Sequence, residues 1–143
     1  MVRKSLFPRL GPWSARVYER RGQGAVWAPH LRNHVAVLDG QVAYLRGSYS
    51  EAEAKLRKTH GAIEDDIANG ASGRSVMGAQ GGFVESYRIL NKAYALRALG
   101  QSLMRQGRLA EAEVMARDAL VTQARFFGRN SGQTAEGVSA LVE

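Results

Sequence analysis

RALGQSLMRQGRLAEAEVMARDAL, residues 97–120, reads as one helix, a glycine-centred turn and a second helix. Leu96, Leu99 and Leu103 recur at helical spacing ahead of the turn. Gly107 stands where the first helix ends, a place suited to a left-handed conformation that a Cβ disfavours. After it, Ala112, Ala116, Ala119, Leu120 and Phe127 fall on one stripe, and Gly128 closes the second helix. A hairpin of this kind can stand alone or be one unit of a repeat, and the rest of the chain decides which.

Sixty residues earlier the same pattern occurs. Gly40, Gln41, Gly47, Glu51, Ala52, Glu53 and Arg57 match Gly100, Gln101, Gly107, Glu111, Ala112, Glu113 and Arg117. Gly47 and Gly107 are the expected C-caps. Tyr49 and Leu109 are placed to plug the two hairpins at the start of their second helices, and the small Ala52 and Ala112 allow close approach. Gly40 and Gly100 lie inside the first helices, where glycine costs roughly 1 kcal/mol against alanine. Its use at the same place in both copies predicts tight helix packing there.

These residues resemble the tetratricopeptide repeat (TPR) family, whose pattern runs through a large apolar residue, Leu-Gly, a turn glycine, an aromatic or Leu, and Glu-Ala. The second copy carries Leu96, Leu99-Gly100, Leu103, Gly107, Leu109, Glu111-Ala112, Ala116 and Ala119. The first carries Gly40, Ala43, Gly47, Tyr49, Glu51-Ala52 and Leu56, with Asp39 where Leu is usual and Ala36 in place of the large residue. FFGRNSGQTAEGVSALVE, residues 126–143, resembles the start of a third copy, and Leu141 falls 42 residues after Leu99. That longer period is similar to the kinesin-light-chain type of the repeat.

The expected fold is all-α, antiparallel helix hairpins stacked as a short α-solenoid. Residues 1–29 form a basic N-terminal arm. Residues 30–143 form the repeat domain: repeat one over 30–69, a glycine-rich insertion over 70–82, repeat two over 83–128, and a partial repeat or capping helix over 131–143 with Ser131 as its N-cap. A repeat cannot bury its face alone, and about three are usually needed. Two and a fraction imply a piece of a longer protein, or a homodimer formed through open repeat ends.

The net charge of +7 is unevenly placed. Arg3, Lys4, Arg9, Arg16, Arg20, Arg21 and Arg32 face only Glu19 within the first 32 residues, and the remainder is nearly neutral. Such an arm suits nucleic acid, anionic lipid or an acidic protein surface. No apolar run is long enough to span a bilayer, and no secretory signal is seen, so a cytoplasmic location is expected. The absence of cysteine excludes disulfides and thiolate metal sites. Sixteen Arg against four Lys points to a GC-rich, bacterial genome.

Little in the chain argues for catalysis. His30 and His34 share a helix face at a spacing that can hold a metal, but no third ligand is near in sequence. Glu64-Asp65-Asp66 is an acidic cluster expected near a helix end, where the helix dipole opposes it. The glycine-rich stretch has no GxxxxGK[ST], and no GxSxG or HExxH occurs. Neither an active site, a metal nor a cofactor is expected.

The resemblance implies a concave groove lined by the first helix of each unit, binding a peptide or helix of a partner protein. Carried over by position, its residues are His34, Val37, Gln41 and Tyr44 in unit one, and Tyr94, Arg97, Gln101, Met104 and Arg105 in unit two. Arginines bind carboxylates through charge-assisted bonds; tyrosine and methionine supply adaptable apolar area. Two other functions compete with this non-catalytic scaffold: nucleic-acid binding through the arm, and a regulatory or sensor segment of a larger multidomain protein.

Overall fold

Four helices follow one another in the computed structural model, which describes residues 24–72, 79–132, 134, 135 and 138. They are α1 (Gly24–Leu45), α2 (Tyr49–Ser72), α3 (Ala79–Arg105) and α4 (Leu109–Phe127). The fold is all-α, with no strand among the described residues. Helix α1 packs on α2, α3 packs on α4, and α3 also packs on both α1 and α2. Two antiparallel hairpins are thus stacked with α3 at the centre. No described helix is long and apolar enough to cross a membrane.

The two hairpin turns are the same structure. Gly47 has φ 80° and Gly107 has φ 78°. In the first turn Gly47 N–H donates to Tyr44 O at 2.9 Å and Ser48 N–H to Ala43 O at 3.0 Å. In the second, Gly107 N–H donates to Met104 O and Arg108 N–H to Leu103 O, both at 3.0 Å. This paired pattern is the Schellman motif, which satisfies the last carbonyls of a helix and needs a residue with positive φ. Glycine takes that conformation without steric cost, so the recurring glycine fixes where both helices stop.

Packing within each hairpin is close because small residues permit it. A Cβ on Gly40 would lie 2.6 Å from Leu56 Cγ and Cδ2, and one on Gly100 would lie 3.2 Å from the Ala112 carbonyl. Both glycines therefore mark close approach, as their recurrence predicts. The core gathers Ala43, Ala52, Leu56, Ala98, Leu99, Leu103 and Ala112, with Tyr44, Met104 and Met115 against its edge. A second cluster of Val37, Ile63 and Ala95 extends it, with Ile67 and Tyr94 packed alongside.

Several expectations need correction. Helix α1 begins at Gly24, so residues 24–29 belong to it and not to the arm, and Pro29 lies inside. Proline has a helical φ but removes one N–H from the ladder and crowds the carbonyl four residues back, a cost offset by the packing of α1 against α2 and α3. Residues 70–72 and 79–82, expected in the insertion, are helical as the ends of α2 and α3. Once a packed helix is nucleated, each added residue gains a hydrogen bond, which offsets the cost of a glycine. Leu109 does not plug its hairpin and is mostly exposed, whereas the Tyr49 ring sits 5.5 Å from that of Tyr44. The segment expected to be a partial repeat or capping helix is described in part: Ser131 Oγ accepts from Thr134 N–H at 3.2 Å, the expected N-cap, and Thr134 Oγ1 donates to Gly128 O at 2.7 Å.

Candidate functional site

Two side-chain ties run between the first helices of the hairpins and set their alignment. His34 Nδ1 on α1 meets Asn91 Oδ1 on α3 at 3.1 Å. Arg105 Nε on α3 donates to the Tyr44 hydroxyl on α1 at 3.2 Å. Sequence numbers rise together along both helices, so α1 and α3 lie parallel. Gln41 falls between the ties on α1; Tyr94, Arg97, Gln101 and Met104 fall between them on α3.

Eight of the nine predicted groove residues are half-buried or exposed. Arg97 lies over the Tyr94 ring, its Cζ 5.3 Å from the centroid, a cation–π geometry that holds the guanidinium against α3. The Tyr44 hydroxyl holds Arg105 and stabilises its cationic form. Met104 and Tyr44 pack at the edge of the core. No carboxylate occurs among these residues, so the strip offers two cations, two phenols and two amides.

Val37 is the exception. It is 1% exposed and packs with Ile63 and Ala95. Its place on α1 turns it into the junction with α2 and α3, so it is core and lines no groove.

The histidine pair divides. His30 Nδ1 stands 3.1 Å from Asp66 Oδ2 on α2, while His34 turns to Asn91. No group of three His, Asp or Glu among the described residues is arranged to hold a metal ion. Burial lowers the His30 pKa from its ordinary value, against the pull of Asp66. The acidic cluster lies inside α2, not at its end, since the helix continues to Ser72. Two of its members have partners within the chain. Asp66 also meets Arg88 Nε at 3.4 Å, and Glu64 takes Lys92 Nζ at 2.7 Å and His60 Nε2 at 3.3 Å.

Asn91 was not foreseen from sequence. It is buried, and besides meeting His34 it donates from Nδ2 to the His30 carbonyl at 3.2 Å. It fastens α3 to the first part of α1. The only sequence signal is a polar residue among the apolar positions of α3. The basic-arm residues Arg3, Lys4, Arg9, Arg16, Arg20 and Arg21 lie outside the described residues. No family model, curated protein or solved structure matches the chain.

Proposed function

We propose that this chain is a non-catalytic interaction scaffold of the tetratricopeptide type, which takes a peptide or helix of a partner protein along the face shared by α1 and α3. The observation that carries this reading is the parallel pair of first helices, tied by Arg105 to Tyr44 and by Asn91 to His34, with Arg97 and Arg105 on the strip and no acid among its residues. The matched turns and the order of helix contacts support it, because they make two equivalent hairpins stacked on one another. A carboxylate-bearing segment is the favoured ligand: guanidinium–carboxylate bonds are strong and directional, and the phenols add contact area at low entropic cost.

Selection from a random displayed-peptide library tests this. Wild-type protein should enrich peptides with acidic and apolar residues, and the Arg97→Glu/Arg105→Glu variant should lose them at least tenfold. Peptides that bind the variant as well as the wild type would show that the strip is not the groove. Nucleic-acid binding through the arm is a separate reading, favoured by the concentration of positive charge in the first 32 residues. It predicts an affinity that falls steeply with salt and disappears with the arm.

A further inference from the structure

Helix α1 is apolar on two sides. One side, with Val37 and Ala43, is buried within the fold. The other carries Leu31, Val35, Leu38, Val42 and Leu45, spaced four, three, four and three residues apart. Of these, Val35 is 43%, Leu38 45%, Val42 41% and Leu45 80% exposed. A soluble helix normally keeps one apolar face, and one apolar on both sides is covered on both. A contiguous exposed stripe of this kind marks an interaction surface.

We propose that this stripe is a homodimer seam, in which α1 packs antiparallel against α1 of a second copy. This inference does not depend on the groove. The alternation of four and three keeps all five residues on one line at a period of 3.5, the pattern of a two-helix seam with knobs-into-holes packing. A two-fold contact uses the same patch on both partners, so one stripe suffices.

Charge selects both the occupant and the register. Arg32 and Asp39 each follow a stripe leucine and so flank the same edge; Asp39 meets Lys55 at 3.0 Å and is still 59% exposed. With Val35 of one copy against Leu38 of the other, and Leu31 against Val42, Arg32 of each meets Asp39 of its partner, twice by symmetry. The neighbouring register, with Leu38 against Val42, brings Asp39 to Asp39 and Arg32 to Arg46, and is repelled. The chain's own residues 1–23 suit the stripe poorly. They carry six basic residues and one acid, and would meet an edge that holds Arg32 and Arg46. The stripe runs about 21 Å along the helix, so the interface is small and the association reversible.

Sedimentation velocity on the full chain, from low to high micromolar concentration, tests the seam. The wild type should pass from one-chain to two-chain mass. Leu38→Glu/Val42→Glu should stay at one chain with unchanged helical circular dichroism. Arg32→Asp and Asp39→Arg should each weaken the dimer, and the two together should restore it. Arg97→Glu/Arg105→Glu should dimerise normally, which separates failure of the groove from failure of the seam. A wild type that stays at one chain throughout overturns the proposal, including the case in which hydrogen exchange finds residues 1–23 covering α1. So does a charge swap that restores nothing.

Discussion

Arg108 crosses between the two hairpins to Glu53, 55 residues earlier, with Nη1 at 2.7 and 2.9 Å from the two carboxylate oxygens. Its Nε and Nη2 hold Glu111 at 2.7 and 2.6 Å. The same guanidinium therefore joins the turn of the second hairpin to the second helix of the first. Two further residues donate to Glu53: Arg57 from Nε at 2.9 Å, with its Nη2 at 2.8 Å, and Gln106 from Nε2 at 3.0 Å. Partial burial raises the Glu53 pKa, and the bonds from Gln106, Arg57 and Arg108 outweigh it, so the net shift is downward.

Glu53→Ala should accordingly loosen the junction between hairpins, lowering stability by about 1 kcal/mol, since these charge-assisted bonds are partly solvent-screened. Urea titration followed by far-ultraviolet circular dichroism measures it. A change within error would mean that the network adds nothing to the packing of α2 against α3.

The packing of Gly40 against Leu56 gives a second test. A Cβ at Gly40 would overlap the Leu56 branch at 2.6 Å. Gly40→Ala gains roughly 1 kcal/mol of helix propensity but incurs an overpacking cost of about 1–3 kcal/mol, and should destabilise. Leu56→Ala alone should cost about 2–5 kcal/mol because Leu56 is fully buried. In the Gly40→Ala background it should cost less, since the truncation also relieves the clash. Equilibrium unfolding of the four proteins closes the cycle, and strictly additive costs would contradict the contact.

The turn glycines isolate a backbone effect. No atom lies within 4 Å of a Cβ built on Gly47 or Gly107, so alanine there meets only left-handed strain, about 1–2 kcal/mol. The two substitutions should cost the same amount in thermal unfolding, because the two turns share one geometry. Unequal costs would show that one hairpin unfolds without the other.

These turns were legible in sequence because positive φ leaves a residue-type signature and the signature recurs. The close approach at Gly40 and Gly100 was legible for the same reason. Residues whose roles depend on alignment between distant segments were not. Asn91 meets α1 at positions 57 and 61 residues away, a relationship fixed only when α1 and α3 lie parallel. Val37 shares its helix with His34, Gln41 and Tyr44, three other residues predicted for the groove, and one step around the helix separates core from surface. The glycines within residues 70–82 pointed to a loop, yet two helices run into that stretch, and α1 starts at Gly24, ahead of the expected residue 30.

Acid unfolding should proceed in two steps that belong to different ends of the fold. Burial lowers the His30 pKa below its ordinary 6.5, opposed by Asp66, with Arg88 and Glu85 also acting on it. The unfolded chain then binds the His30 proton more readily than the folded one. Stability is whole above pH 6.5 and is lost as pH falls through the interval below that value. Glu53 acts in a lower window. Its folded pKa lies below the ordinary 4.5, so its contribution is present above that value and is lost as pH falls further. Thermal midpoints recorded from pH 7.5 to 3 should therefore decline first below 6.5 and again below 4.5. His30→Gln should flatten the first decline and keep the second; Glu53→Gln should do the reverse. If His30→Gln leaves the upper decline unchanged, burial of the His30 imidazole is not its source.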